Sequence, residues 1–405
     1  MSMDNKVPEI RFKGFSTNWL NFNLSQITDV YDGTHQTPAY TKNGVMFLSA
    51  ENIKSLTSTK FISEEAFKKE FKVYPKKNDV IMTRIGDVGT ANVVETDDDR
   101  AYYVTLALLK HKKLSPYFLK SSIASPFVQK DIWLRTLHIA FPKKINMNEI
   151  KQVAVNCPSD AVESEKIGQY FKNLDALITQ HQQKHDKISN IKNAMLEKMF
   201  PKQGKTIPEI RFKGFSGEWE EKKLGTDIAE IIGGGTPSTS ISEFWGGDID
   251  WYSPTEIGDN VYAEGSQKKI TALGLKSCSA KILPAGNTVL FTSRAGIGDM
   301  AILAKPGSTN QGFQSLIVKE GFSPYFIYSA GKQIKDFALK HASGSTFLEI
   351  SGKQLGRMKI LIPSLEEQTA IGNYFQNIDE LINQHQQQIT KLNNIKQACL
   401  SKMFV

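Results

Sequence analysis

Cysteine is scarce in this chain. Only Cys157, Cys278 and Cys399 occur, an odd number with no CxxC spacing, which excludes a disulfide framework and a cysteine zinc site and fits a reducing cytoplasm. Long apolar runs are missing too, since no stretch approaches the roughly 18 uncharged apolar residues of a membrane-spanning helix. The N-terminal stretch to Phe15 carries Asp4, Lys6, Glu9, Arg11 and Lys13 and has no apolar core. A cytoplasmic protein, neither exported nor inserted in a membrane, is therefore expected. Catalytic signatures are lacking as well. There is no GxxxxGK(S/T) phosphate loop, no Asn-Pro-Pro-aromatic loop of a DNA methyltransferase and no nucleophile elbow. The expectation is a chain that catalyses nothing.

The chain has 405 residues, 40% of them apolar, enough for two or three domains with real cores. Lys and Arg outnumber Asp and Glu by 50 to 42, a formal charge of +8 that suits a polyanionic partner.

The sequence is written twice. Pro8–Phe15 and Pro208–Phe215 both read PEIRFKGF, followed in step by Trp19 and Trp219. A longer block repeats from Lys166–Phe200 to Ala370–Phe404, and SPYF recurs at Ser115–Phe118 and Ser323–Phe326. Between the repeats the copies diverge. Parts that stayed alike face something shared, and parts that drifted face something that differs.

The long block predicts a helix. Ile167, Leu174, His181, Ile188 and Met195 lie seven apart, with Phe171, Ile178 and Ile191 beside them; Ile371, Ile378, His385 and Leu392 repeat the stripe, with Phe375, Ile382 and Ile395 beside them. Roughly 36 residues make a rod of about 50 Å. Ser364 with Glu367, and Asp160 with Glu163, stand where a capping box would start each helix. The apolar stripe of one helix is expected to be covered by its twin, antiparallel, as a duplicated dimer interface would require. Two readings of His181 and His385 stand: they face each other at the centre, or they lie beside the seam. His181 and His185 have the spacing of a metal pair, but Ile389 replaces the second histidine in the other copy, which favours a structural role.

The variable blocks read as α+β. Apolar runs Val45–Leu48, Val80–Met82, Val104–Leu109, Val289–Phe291 and Ser315–Val318 alternate with turn residues, and helices follow over Pro116–Trp133 and Pro324–Lys340. Polar turns at Asp32–Pro38 and Gly233–Ser238 offer Thr34, His35, Thr236 and Ser238. Lysine clusters include Lys68, Lys69, Lys72, Lys76 and Lys77, then Lys110, Lys112 and Lys113, then Lys143 and Lys144, interleaved with Phe71, Tyr74, Tyr102 and Tyr103. Such residues supply phosphate affinity, or are simply a solvated surface. Arg84 and Arg294 follow similar strands, VIMTR and VLFTSR, beside Thr83 and Ser293. Each either reads guanine O6 and N7 or is salt-bridged in its own domain. Gln311, Gln314 and Ser345 complete the candidate DNA contacts. Glu220–Lys223 reads as a solvated charged turn.

The PEIRFKGF…W openings, the DGTH…TP and GGTPS turns, Pro363–Gln368 (PSLEEQ) leading into IGNYFQNIDELI, and the doubled order of these blocks resemble the specificity subunit of type I restriction–modification systems, over nearly the full chain. The resemblance implies two pseudo-symmetric target-recognition domains separated by an antiparallel coiled coil of two long helices: 1–160 and 201–364 as recognition domains with their repeated segments, 161–200 and 365–405 as helices. It implies that each domain reads one half of a bipartite, asymmetric site in double-stranded DNA, with half-sites about one turn apart, roughly 34 Å. It further implies docking to two methyltransferase subunits and to motor-nuclease restriction subunits, with S-adenosylmethionine, ATP and Mg used by those partners and no cofactor or metal on this chain. Lys172, Lys187, Lys192, Lys391 and Lys396 are candidate docking residues on outer helix faces. The segment Asn156–Asp160 departs from the usual Pro-x-x-Glu-Gln entry and leaves the start of the first helix open. The rival reading is a coiled-coil scaffold that displays two ligand-binding domains without touching DNA.

Overall fold

The computed structural model describes residues 7–405 except 113, 259, 295 and 345–347. The chain forms two compact units, Met1–Gln182 with Gln387–Val405, and Gln183–Gln386. Each unit therefore takes part of the long helix Ala161–Lys198 and part of the long helix Leu365–Lys402.

In the first unit an antiparallel sheet runs Thr28–Asp32, Leu106–His111, Val80–Thr83, Ala91–Val93. Every residue of Val80–Thr83 is buried, because both faces of the sheet are covered. Val80 and Met82 face a core with Phe118, Leu119 and the long helix, while Ile81 and Leu108 face a core with Phe47, Phe67 and Tyr102. That two-sided burial explains apolar runs without alternation. The second core is closed by a small sheet, Phe61–Ile62, Val45–Leu48, Arg100–Tyr102. The second unit repeats the plan with Ala229–Gly233, Gln314–Val318, Thr288–Phe291, Met300–Leu303 and Tyr262–Ala263, beside Lys268–Ile270, Trp245–Tyr252 and Gly307–Thr309. Each expected helix over the SPYF motif is two helices, Pro116–Ala124 with Pro126–Arg135, and Pro324–Ser329 with Gly331–His341. In the first copy Pro126 forces the break. Glu220–Lys223 is a strand paired with Lys359–Ile362, not a free turn.

Within each unit the long helices run antiparallel. Tyr170 Oη meets Cys399 Sγ at 3.5 Å and Asp175 meets Lys396 at 2.6 Å in the first unit. The symmetry-related pair in the second is Lys192 with Asp379 at 2.5 Å. Ile167, Phe171 and Leu174 are buried with Leu400 and Met403 in the first unit, with Leu392 and Ile395 packed on that core. Ile371, Phe375 and Ile378 are buried in the second, with Ile188 and Ile382 against them. Ile178 is half-buried. Ile191 is 43% exposed, so its assignment to the seam is corrected. The seam follows alternating steps of four and three from Ile167 through Phe171, and Ile191 lies one position off that track. Lys192 and Lys396 likewise bind aspartates between the helices and are not on outer faces.

The ion pairs also set which residues stand level with the central histidines within each unit. One heptad back from Lys192 and one forward from Asp379 stand His185 and Gln386. The residue level with His385 in its unit is thus Asp186. Six residues on from Asp175 and six back from Lys396 stand His181 and Thr390.

The repeated PEIRFKGF segments are clasps. In the first unit Arg11 binds Glu163 through Nε and Nη2 at 2.6 and 2.7 Å, at the start of one helix, while Ile10 N donates to Lys402 O at 3.0 Å, at the end of the other. In the second unit Arg211 binds Glu367 at 2.7 and 2.6 Å and Ile210 N donates to Lys198 O at 2.9 Å. Both glutamates are buried. The expected capping box is therefore only half present. Ser364 Oγ accepts from Glu367 N at 3.3 Å, but the glutamate side chain turns to arginine, whose fork suits a buried carboxylate. The hydrogen bond to Glu163 raises the Arg11 pKa above its already high ordinary value. Asp160 Oδ1 accepts from Val162 N at 2.8 Å, which settles the entry of the first helix.

The SPYF helices dock on the long helices at glycine. A Cβ on Gly168 would stand 2.6 Å from Ser115 Oγ and 2.8 Å from Phe118 N. On Gly372 it would stand 3.1 Å from Ser323 Oγ and 3.3 Å from Tyr325 Cβ. Trp19, Phe118 and Phe404 close one contact and Trp219, Phe326 and Phe200 the other.

Candidate nucleic-acid interface

The two polar turns occupy equivalent places. Thr34 N donates to Tyr102 O at 3.1 Å, and Gly235 N donates to Thr309 O at 2.9 Å. The preceding glycines are required because a Cβ on Gly33 would lie 2.4 Å from Tyr103 O and one on Gly234 would lie 2.0 Å from Asn310 O. These glycines admit neighbouring backbone, so nothing in their placement calls for a bound phosphate.

The arginines are not equivalent. Thr83 N donates to Thr90 O and Gly89 N to Thr83 O; Thr292 N donates to Asp299 O and Gly298 N to Thr292 O. Then Arg84 N pairs with Thr105 O where Ser293 N pairs with Gly312 O. Arg84 thus corresponds to Ser293, and Arg294 is one residue further on. In extended chain that single step reverses the side chain's face.

The consequence is a correction for Arg84, which is 6% exposed. Its Nη1 donates to Asp32 Oδ1 at 2.6 Å and to Val104 O at 3.1 Å, and its Nε to Ile145 O at 3.3 Å. It is committed to its own domain and unavailable to a guanine edge. Asp32 also holds the exposed His35 ring, Oδ2 to Nε2 at 2.9 Å, so Arg84 positions the turn that displays His35 and Thr34. In the second unit the same two places hold Ser293 and Gly233, and the charge pair is gone as a pair. Thr83 and Ser293 are fully buried and are corrected as DNA contacts; Thr83 Oγ1 accepts from Thr90 N.

Arg294 is half-buried, and its guanidinium has no ion pair or hydrogen bond among the described residues. It lies beside the turn at Gly312, where a Cβ would be 3.5 Å from its Nε. Gln311, in the same turn, accepts from Thr236 Oγ1. Thr236, Gln311 and Arg294 therefore border a single turn system, with exposed Ser238 beyond it. Gln314 is half-buried against Gly352. Ser345 and Lys113 lie outside the described residues.

The lysines are partly neutralised. Lys76 binds Asp99 at 3.0 Å over the Tyr74 ring, and Lys112 binds Asp29 at 3.2 Å. The hydrogen bond to Asp99 raises the Lys76 pKa, keeping it charged. Such exposed pairs are weak. Lys77 is exposed without an ion pair among the described residues, as are Lys143 and Lys144. Sequence reading missed the loop that carries the last two, Leu137–Lys144, in which Ile139 and Phe141 are 99% and 104% exposed. The signal was available, as Leu137, Ile139 and Phe141 in a stretch with two lysines and no acid.

Residues 216–394 match the family model for the type I restriction modification DNA specificity domain. The chain is thus similar to type I restriction specificity subunits. It is 38% identical over 192 residues to the MjaIX specificity subunit of Methanocaldococcus jannaschii, a match covering 46% of this chain and 44% of that relative. It is 30% identical over 273 residues to the EcoR124I/EcoR124II specificity subunit of Escherichia coli, covering 62% and 63%. The matches thus span about half the length of these curated relatives. The fold is that of the type I system S subunit crystal structure from M. genitalium, with TM-score 0.71, 15% identity and 98% and 99% of the two chains covered. Among the described residues no helix is long and apolar enough to cross a membrane, and no group of three or more His, Cys, Asp or Glu could hold a metal.

Proposed function

We propose that this chain is the DNA-reading subunit of a type I restriction–modification complex. Each unit reads one half of a bipartite, asymmetric duplex target, and the long helices carry two methyltransferase subunits, with motor-nuclease subunits joining for restriction. The chain itself catalyses nothing in this reading. S-adenosylmethionine, ATP and Mg act on its partners, and the complex works in the cytoplasm.

One observation carries the proposal. The same clasp, Arg11–Glu163 and Arg211–Glu367, frames both units, while the surfaces it holds differ, with Asp32, Arg84 and His35 in one and Gly233, Ser293 and Arg294 in the other. A shared frame with unlike faces is what a reader of two different half-sites needs. A ligand-binding scaffold without DNA has no use for cations such as Lys77, Lys143 and Lys144 that are exposed and bear no ion pair among the described residues.

Mapping methylated motifs in a host genome with and without the gene tests this. A two-part motif of unlike halves, lost with the gene, is the expected result; an unchanged methylation pattern overturns it. Duplex binding by the chain with its methyltransferase partner should also fall steeply with salt.

A further inference from the structure

The loop Leu137–Lys144 contributes nothing to a core, yet it is firmly built. Leu137 N donates to Lys144 O at 2.7 Å and Lys144 N to Leu137 O at 3.4 Å. Gly86 N donates to Lys143 O at 2.9 Å and Ile145 N to Arg84 O at 3.0 Å, tying the loop to the strand end that positions the His35 turn. His138 leans on Trp133, with Nε2 2.8 Å from the Trp133 carbonyl. At the tip, Ile139 and Phe141 stand wholly in solvent. Exposed apolar side chains on an anchored loop cost solubility and gain nothing for folding, so their use lies in what they meet.

Charge selects the partner. Lys143 and Lys144 are exposed and bear no ion pair among the described residues, and no acid occurs from Thr136 to Asn146. Apolar tips on a cationic base match a stacked polyanion, in which bases lie between phosphates. We infer that Ile139 and Phe141 are a wedge that enters between stacked base pairs in the half-site read by the first unit, with Lys143 and Lys144 on the flanking phosphates. This rests on the proposed function and deepens it, since deformability then becomes part of what that half-site must supply. The second unit lacks the cationic base. Ile350 N donates to Ser293 O at 3.1 Å as Ile145 N does to Arg84 O, which places Glu349 where the first unit has Lys144. A carboxylate there repels phosphate, so the wedge belongs to one half-site.

The test uses the full chain with its methyltransferase partner on a duplex carrying its mapped motif, with 2-aminopurine placed in turn at each purine of the first half-site and adjoining spacer. Wild type is expected to brighten the probe at one step. I139A/F141A should abolish that signal and weaken binding by roughly tenfold or more, with the circular dichroism spectrum unchanged. F141W should keep the signal and show indole quenching on the duplex. Equal brightening and affinity in wild type and I139A/F141A overturn the wedge. So does weakened methyltransferase binding with DNA affinity retained, which would make the loop a protein contact. If wild type shows no salt-dependent binding to the duplex, the proposed function itself fails, and the wedge with it.

Discussion

At the residue scale the sharpest distinction is between two arginines that sequence places in similar strings. Arg84 is buried against Asp32, and Arg294 reaches a turn surface unpaired among the described residues. Arg294→Ala is expected to relax base preference in the half-site of the second unit alone, with normal unfolding; equal loss in both halves, measured by binding to singly altered duplexes, would contradict it. Arg84→Met should instead destabilise the fold, by about 3 kcal/mol, since it takes the buried guanidinium away from Asp32 and from the Val104 and Ile145 carbonyls. Urea midpoints read this, and the additional change Asp32→Ala should recover part of the loss. The string VIMTR against VLFTSR hid this difference. One inserted serine turns the arginine to the opposite face, and only the backbone bonds to Thr105 and Gly312 reveal which residues correspond.

At the element scale the long helices were legible, because a heptad stripe needs no partner to be seen. Their partners at the ends were not. Arg11 and Glu163 are 152 positions apart, and no local pattern links them. Glu367→Gln should loosen the clasp on the second helix and cost about 3 kcal/mol, visible as earlier proteolysis near that helix start. Asp175 offers a pH signature. Burial pushes its carboxyl up, but Lys120 at 2.8 Å and Lys396 at 2.6 Å outweigh this and hold it below the usual aspartate range. A folded value below the unfolded one means stability that is present above the ordinary carboxylate pKa of about 3.9 and lost as pH falls through the lowered folded value. Asp175→Asn should therefore be less stable than wild type at pH 7, by about 1–3 kcal/mol. The difference should close in acid, as thermal melts from pH 7 to 2 would show.

For the whole molecule, the repeat made the two-part plan readable, while the division of each long helix between two compact units was not, since it depends on which core each end enters. Adding one heptad to both helices preserves the seam and lengthens each by about 10 Å. If the helices set the distance between half-sites, the unread spacer in the methylated motif should grow by about 3 bp.

The docking glycines make the two sensors unequally vulnerable to the smallest possible change. A methyl at Gly168 meets main-chain nitrogen, which has nowhere to retreat, so Gly168→Ala acts as a shim that tips its sensor off the rod. At Gly372 the neighbours need yield only a few tenths of an ångström. Under the proposed function, one carbon atom would then blur half of a sequence code and leave the other half sharp.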